Sequence, residues 1–212
     1  ELLQEYAALD EAERVNAVNV IHDEAQRMAS LINNLLNISK LDTGTLQLAR
    51  KRVKIHDFLY DAYDTMLPNA QSQNINLHIK IPPDLGSARL DKDLLRIAID
   101  NLLSNAIKYS NPGGKVTFSA ELLDDNQIEI RIRDEGIGIS KEDCAHVFEK
   151  YYRASTSETA KRSGHGLGLY LARQIVELHQ GSIVVTSEIG KGSEFILTLR
   201  AQPMNLEEGA NA

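Results

Sequence analysis

Two asparagines, Asn101 and Asn105, lie four residues apart in a helical pattern that continues to Lys108. Side chains four residues apart share one helix face, and asparagine is a poor residue for a helix interior. One interpretation is a solvated polar face. The other is a magnesium site, because an amide oxygen is a hard ligand and Mg²⁺ needs only one or two protein ligands beside phosphates and waters. Lys108, one turn later, would then contact a phosphate.

An acidic residue followed by spaced glycines forms the second pattern, Asp134-Glu135-Gly136-Ile137-Gly138, directly after a predicted strand. Glycine lets the backbone approach a ligand closely. A carboxylate at the end of a strand can accept a hydrogen bond from an exocyclic amine. The alternative is an ordinary acidic turn after a hairpin strand, and the pattern by itself leaves both interpretations open.

Two more patterns flank residues 153–164, whose Ser, Thr, Lys and Arg content predicts a mobile loop. Before the loop stands Phe-Glu-Lys-Tyr-Tyr-Arg at 148–153; its aromatic residues are typical of core packing, and Arg153 is the member suited to phosphate. After it, Gly164-His165-Gly166-Leu167-Gly168-Leu169 opens a helix predicted to end at His179, where backbone N–H groups would bind an anion. The spacing matches neither a dinucleotide-binding fold nor a P-loop, since no Gly-Lys-Ser/Thr follows.

Composition bounds the class of protein that presents these motifs. The 212 residues are 42% hydrophobic and 25% charged, as in ordinary globular proteins. The net charge of −7 without a strongly basic window excludes a nucleic-acid surface. The single cysteine, Cys144, excludes an internal disulfide and fits a reducing, cytoplasmic location. No apolar run approaches the roughly 18 residues of a membrane span.

The elements that must position the motifs begin with a long helix. Apolar residues from Val18 to Leu35 recur at alternating spacings of three and four, which predicts a bundle or coiled-coil seam. Asp10 and Glu13 form a predicted capping box at the helix start, and Gly44 marks its end. A short helical piece is predicted before it, over Leu2 to Leu9.

The rest of the chain predicts alternating helices and strands. Period-two alternation indicates strands with one buried face, and therefore a mixed or antiparallel sheet. The predicted strands are a first strand within residues 46–53, then 75–81, 116–122, 128–133, 183–187 and 195–199; the predicted helices are 55–72, about 91–109 and 166–179. Asp91 is predicted to cap the helix that runs to about Tyr109. The polar tail from Gln202 is predicted to be disordered.

In this order, the four motifs resemble the N box, first glycine box, F box and second glycine box of sensor histidine kinases. The stretch LINNLLNISKLDTG, residues 31–44, resembles the second helix of that family's dimerisation domain. The resemblance covers about residues 1–200. It implies an α+β fold, a two-layer Bergerat ATP-binding sandwich preceded by a long bundle or coiled-coil helix.

The resemblance also implies roles for individual residues. Asn105 would bind magnesium, with Asn101 in the same motif, and Lys108 and Tyr109 would lie near the phosphates and sugar of ATP. Asp134 would accept a hydrogen bond from the adenine amine. The remaining nucleotide-binding residues would be Gly136, Gly138, Arg153, Gly164, His165, Gly166, Leu167 and Gly168. His165 stands where the family usually has a threonine.

The implied activity is that of a protein-histidine kinase with ATP and Mg²⁺. The γ-phosphate would pass to a histidine of the helical bundle and then to an aspartate of a response-regulator receiver domain. The family's acceptor motif, His followed by an acidic residue and then Pro, does not occur; His22 has acidic neighbours but no following proline. We therefore expect no catalytic acceptor within these residues, an acceptor upstream of Glu1, and ATP binding without autophosphorylation.

The expected organisation is a partial dimerisation domain at 1–46, an ATP-binding domain at 47–201 and a flexible tail at 202–212. The full-length protein would be a homodimer, with membrane contact only through upstream segments. Two alternatives stay open. One is another ATPase of the same superfamily, in which Asp100 or Asp93 would serve as the base. The other is a non-catalytic dimerisation module.

Overall fold

The computed structural model describes residues 10–123, 126–154 and 164–201. Three predicted features therefore lie outside the described residues: the helical piece at 2–9, most of the loop at 153–164, and the tail from 202. The chain forms two compact units, Glu1–Leu46 and Gln47–Ala212. No helix in the described ranges is long and apolar enough to cross a membrane.

The first unit contains one long helix, α1 (Glu11–Asp42). Its start is the predicted capping box: the Asp10 carboxylate accepts from the Glu13 N–H at 2.8 Å, and Glu13 accepts from the Asp10 N–H at 2.9 Å. Gly44 follows its end with φ +65°, a conformation without steric cost for glycine. The apolar stripe includes these exposed side chains: Val15, Val18, Ile21, Met28, Ile32 and Leu35.

The second unit alternates strands and helices. Its helices are α2 (Ile55–Ser72), α3 (Lys92–Tyr109), α4 (Lys141–His146) and α5 (Gly168–Leu178). Its strands are β1 (Lys51–Lys54), β2 (Asn76–Lys80), β3 (Ser87–Leu90), β4 (Lys115–Leu123), β5 (Gln127–Asp134), β6 (Ser182–Glu188) and β7 (Gly192–Arg200).

Five strands form one sheet in the order β2-β4-β5-β7-β6, in which β2 and β4 are parallel and the other neighbours are antiparallel. The predicted mixed sheet is thus confirmed. In the register of the central strands, Phe118 pairs with Ile132 and Ile132 with Phe195. All three side chains are buried, because period-two alternation turns every second residue to the same face.

Helices cover the apolar face of the sheet. Helix α3 packs on α2, α5 and β5, and its buried side is made of leucine, isoleucine and alanine: Leu94, Leu95, Ala98, Ile99, Leu102, Leu103, Ala106 and Ile107. The opposite sheet face carries polar side chains such as Thr117, Arg131 and Thr198. The unit is a two-layer α/β sandwich in which one side of α3 is committed to the core and the other is free for polar residues.

Two details differ from the sequence prediction. A short strand, β3, pairs only with β1 in a separate two-stranded ribbon; four residues with a central Arg89 carry too weak an alternation to indicate it. Helix α5 begins at Gly168 rather than Gly166, because Gly166 has φ +67° and a left-handed residue cannot continue a right-handed helix.

Candidate functional site

The polar side of α3 faces away from the core. Asn101, Asn105, Lys108 and Tyr109 are all half-buried there. The Asn101 amide donates to the Ile97 carbonyl at 2.9 Å, so its nitrogen is used within the helix. The Asn105 side chain makes no hydrogen bond to another described residue. Neither amide oxygen accepts a hydrogen bond from the described residues, but Asn101 Oδ1 lies against Gly168.

The N-terminus of α5 meets this polar side. A methyl group on Gly168 would lie 2.6 Å from Asn101 Oδ1, and one on Gly164 would lie 3.0 Å from Lys108 Nζ. The glycines therefore allow the chain to approach α3 closely. Lys108 donates to the Tyr109 hydroxyl at 3.1 Å, and this places an ammonium group beside the glycine-rich segment.

The start of α5 has no side-chain cap, because the residue before it is the buried Leu167. The first N–H groups of a helix have no partner within the helix, and together with the helix dipole they attract an anion. Lys108 adds a positive charge nearby. This corner of the fold suits phosphate.

Asp134 ends β5 and is 3% exposed. Its Oδ1 accepts from the Gly136 N–H at 2.9 Å and from the Ser193 N–H at 3.2 Å. Oδ2 receives no donor from the described ranges. Burial raises the pKa of Asp134 to about 6, and the two backbone N–H groups oppose this rise. A buried carboxylate with one oxygen satisfied is suited to accept one further hydrogen bond from a ligand.

The glycines after Asp134 connect this carboxylate to α3 and to the β6–β7 turn. Any side chain on Gly136 would collide with the Tyr109 carbonyl, and one on Gly138, with φ +71°, would collide with the Glu188 carbonyl. The Ile137 N–H donates to the Tyr109 carbonyl at 3.2 Å, and the Ile137 carbonyl accepts from Gly190 at 2.8 Å. The first glycine motif thus holds the end of α3 beside the acidic residue.

The remaining predicted residues lie at the edge of this arrangement. Arg153 and His165 are exposed and stand on either side of residues 155–163, outside the described ranges. Gly166 accepts from the Tyr151 N–H at 2.9 Å, which brings the two flanking motifs together. The structure thus brings Asn101, Lys108 and Tyr109 next to the glycine motifs, whereas Arg153 and His165 lie exposed beside residues 155–163.

Two contributors were missed by the sequence reasoning. The Ser193 N–H reaches Asp134 from β7, and no local pattern indicates this long-range backbone contact. Tyr152 donates to Asp143 of α4 at 2.6 Å. The spacing Ser140-x-x-Asp143, typical of a helix N-terminus, could have drawn attention to Asp143, but not to its tyrosine partner.

Within the described residues, no three His, Cys, Asp or Glu side chains converge in a way that could hold a metal ion. Near α3 the possible metal ligand is instead the amide oxygen of Asn105, beside the start of α5, which suits a phosphate. That fits Mg²⁺, which binds through few protein ligands together with substrate phosphates. A protein-only metal cage is not what these residues form.

Fold and site together define a class of protein. It is a two-layer α/β sandwich in which the polar side of α3, the buried Asp134 and the start of α5 surround one region. Residues 90–203 match the family described as "Histidine kinase-, DNA gyrase B-, and HSP90-like ATPase". That match exceeds half of the chain, and the chain belongs to this family. The predicted Bergerat sandwich and the resemblance to sensor histidine kinases are confirmed.

Curated relatives point within the family to sensor kinases. The chain is 36% identical over 181 residues to the sensor histidine kinase WalK of Bacillus subtilis, covering 85% of this chain and 30% of WalK. It is 31% identical over 189 residues to the alginate biosynthesis sensor protein KinB of Pseudomonas aeruginosa, covering 89% of this chain and 31% of KinB. The chain therefore spans less than a third of the length of these relatives.

Solved structures agree in fold. Full-length ShkA in complex with AMPPNP superposes with a TM-score of 0.76 at 23% identity, over 90% of this chain and 40% of ShkA. The mycobacterial sensor histidine kinase MprB superposes with a TM-score of 0.64 at 26% identity, over 74% of this chain and all of that chain. At such identities the structures establish the sandwich and leave residue roles to the geometry above.

Proposed function

We propose that residues 47–201 bind Mg-ATP as the kinase core of a sensor histidine kinase, with residues 1–46 as part of its dimerisation domain. The observation that carries the proposal is Asp134: buried, bonded through Oδ1 and open at Oδ2. An adenine amine is a donor of the right kind for Oδ2. The full-length protein would act as a homodimer.

The phosphate end of the nucleotide would lie between α3 and the start of α5. Lys108 and the uncapped N–H groups of α5 supply positive charge, and Asn105 supplies an amide oxygen for the metal. Bound Mg²⁺ would neutralise charge on the phosphates. Catalysis of phosphoryl transfer then rests on positioning and charge neutralisation, and no general base from this unit is required.

The acceptor would be a histidine of the helical bundle, and a receiver-domain aspartate of a response regulator would take the group next. His22 does not fit as the acceptor. It is exposed on α1, with its Nε2 at 2.7 Å from the Gln26 amide. Acidic residues follow it at positions 23 and 24, but the proline of the family's acceptor motif does not. The relatives' names as sensor kinases support the proposal.

The first test is the affinity for Mg-ATP, measured by isothermal titration calorimetry. Asp134→Asn replaces the acceptor Oδ2 with a donor, which would oppose the adenine amine, and should weaken binding by about 10- to 100-fold. The matched control is Asp61→Asn, which changes an exposed carboxylate paired with Lys92. Equal affinities for wild type and Asp134→Asn would refute the adenine assignment.

The second test concerns phosphorylation. Residues 1–212 incubated with radiolabelled Mg-ATP should retain no label on the denatured chain. A His22→Gln variant should behave identically. Label that appears on wild type and disappears in His22→Gln would make His22 the acceptor and overturn this part of the proposal.

Hydrolysis by a carboxylate base is the first alternative. Asp93 lies twelve residues before Asn105, about 18 Å along the helix axis. Asp100 is already held by Arg96, at 2.7 Å from Nε to Oδ1; burial raises its pKa, and the hydrogen bond and charge of Arg96 oppose the rise. Both observations favour transfer over hydrolysis.

A non-catalytic dimerisation module is the second alternative. It predicts no rise in melting temperature with millimolar Mg-ATP, whereas a ligand that binds only the native state raises it. The geometry favours the kinase core because Asp134 is 3% exposed as a residue and keeps one oxygen without a donor from the described residues. A thermal-shift titration separates the two.

A further inference from the structure

The turn at residues 151–153 is pressed against Gly166. The Tyr151 N–H donates to the Gly166 carbonyl at 2.9 Å. A methyl group on Gly166 would lie 2.6 Å from the Tyr151 carbonyl carbon and 2.7 Å from the Tyr152 carbonyl oxygen. Gly166 stands two residues before α5. The position of this turn therefore determines where the first N–H groups of α5 lie.

Tyr151 has an unfavourable backbone conformation. Its φ is +67°, in the left-handed region that bulky residues rarely adopt and that persists only when the surroundings enforce it. The Tyr151 side chain is 61% exposed, so it does not anchor the turn through burial. The anchor has to come from a neighbouring residue.

Tyr152 provides that anchor. Its hydroxyl donates to Asp143 Oδ1 at 2.6 Å, and its ring lies 5.5 Å from that of His146, also on α4. The other carboxylate oxygen of Asp143 accepts from the Ser140 hydroxyl at 2.8 Å. Both oxygens of Asp143 are thus occupied, and one of them is devoted to Tyr152.

The Tyr152–Asp143 hydrogen bond is charge-assisted. The hydrogen bonds from Tyr152 and then Ser140 lower the pKa of Asp143, and the bond to Asp143 raises the pKa of Tyr152. A phenol donating to a carboxylate forms a shorter and stronger bond than a neutral pair. This bond can hold the adjacent strained turn in place.

We propose that Asp143 and Tyr152 are positioning residues for phosphate binding: they hold the turn at 151–153 against Gly166 and so place the N–H groups that start α5. The inference rests on the proposed function, since it takes nucleotide phosphates as the ligand of those groups. Neither residue contacts the nucleotide. Their effect falls on the phosphate half of the site and spares the adenine half around Asp134.

The test compares two ligands, Mg-ATP and adenosine, because adenosine lacks phosphates. Tyr152→Phe and Asp143→Ala should each weaken Mg-ATP binding by about tenfold, as the loss of one charge-assisted hydrogen bond implies, and should leave adenosine affinity unchanged within about twofold. Calorimetry measures the first affinity and ligand-observed NMR the second. Asp143→Asn, whose amide oxygen still accepts from Tyr152, should stay within about threefold of wild type for both ligands.

Glu142→Ala is the matched control, since it removes an exposed carboxylate from the same turn of α4. Unchanged Mg-ATP affinity in Tyr152→Phe, or equal losses for Mg-ATP and adenosine, would overturn the positioning role. Thermal unfolding of each variant identifies a general loss of structure, which Tyr152→Phe avoids by keeping the ring. Failure of wild type itself to bind Mg-ATP would refute the proposed function, a result distinct from failure of these variants.

Discussion

Two aspartates are buried near opposite ends of α3; one serves the structure, and for the other we propose ligand binding. Asp91 precedes the first turn of the helix and is 7% exposed; Asp134 lies beside the last turn and is 3% exposed. Both accept hydrogen bonds from backbone N–H groups. They differ in how many of their oxygens are occupied.

Asp91 is fully engaged. Its Oδ1 accepts from the Leu94 N–H at 3.1 Å, which caps α3, and its Oδ2 accepts from the Ala49 N–H at 2.9 Å. Its own N–H donates to Nε2 of the buried His179 at 2.9 Å, and His179 Nδ1 lies 2.7 Å from the Ile175 carbonyl. Such a network stabilises the fold and has no capacity left for a ligand.

Asp134 is engaged on one oxygen only, and its raised pKa shows that ionisation at this site is opposed by burial. A buried carboxylate without full compensation lowers stability, so stability does not explain its presence. If Asp134 binds the adenine amine as proposed, incomplete satisfaction of its hydrogen bonds, rather than burial, distinguishes it from the structural Asp91.

Removing the satisfied carboxylate should have the largest effect on stability. Asp91→Ala deletes a helix cap and leaves the Ala49 N–H without its acceptor, so the free energy of unfolding should fall by about 3–4 kcal/mol. Urea denaturation measures it. Asp93→Ala, which removes an acidic side chain from the first turn of the same helix, should change it by less than about 1 kcal/mol. Similar losses of unfolding free energy for both variants would mean that the hydrogen bonds of Asp91 stabilise the fold no more than an acidic residue in the first turn.

Removing the charge of Asp134 should raise the free energy of unfolding, the opposite of the effect at Asp91. Asp134 ionises near 3.8 when unfolded and at about 6 when folded, so the folded state holds an extra proton between these values and wild type loses stability as pH rises through them. Asp134→Asn lacks this loss. The difference in free energy of unfolding between Asp134→Asn and wild type should therefore grow by on the order of 3 kcal/mol from about pH 4 to about pH 7.

The measurement for Asp134 is urea denaturation of both proteins at several pH values. A constant stability difference across the range would show that Asp134 ionises alike in both states. Together with the expected loss of Mg-ATP affinity, the gain in stability would mark Asp134 as a residue that costs stability and serves binding.

His179 should give a pH dependence of the reverse slope. Burial lowers its pKa, with the charge of Arg50 adding to the effect, while bonds to Ile175 and Asp91 oppose it. The unfolded state therefore binds the proton first, and wild type loses stability as pH falls below about 6.5. His179→Phe should remove that slope and cost about 1–2 kcal/mol at neutral pH, because the Asp91 N–H loses its acceptor.

The slopes are measured by thermal unfolding at a series of pH values. In His179→Phe the acid-side loss attributable to this residue should vanish, whereas the slope from Asp134 remains. If His179→Phe keeps the full acid-side loss, the histidine is not neutral in the folded state, and the Asp91 network is held together differently.

The sequence predicted the local roles of the two aspartates but not their long-range hydrogen bonds. Asp91 was identified as a helix cap and Asp134 as an amine acceptor, because capping and strand-end motifs are local patterns. Neither the His179 bond to Asp91 nor the Ser193 bond to Asp134 could be predicted, since each joins residues far apart in sequence. The alternating strands and the apolar side of α3 were predictable because burial imposes a period on the sequence.

The boundary errors have a similar cause. The start of α5 was placed at Gly166, although the close contact with Tyr151 forces Gly166 into a left-handed conformation. That contact is tertiary, and glycine by itself is compatible with either conformation. The short strand β3 exists only because β1 lies beside it.

The smallest effect should come from a carboxylate that has partners on both oxygens but is not buried. Glu177 accepts from Arg173 at 2.7 Å and from Gln174 at 3.0 Å on the surface of α5. The side chains of Arg173 and Glu177 are nearly half exposed. Solvent screens such pairs, and i,i+4 pairs contribute about 0.3–0.5 kcal/mol. Glu177→Gln should therefore lower the free energy of unfolding by no more than this, and added salt should shrink the difference further. A loss comparable to that of Asp91→Ala would mean that the presence of hydrogen bonds to a carboxylate, rather than its burial, determines the contribution to stability.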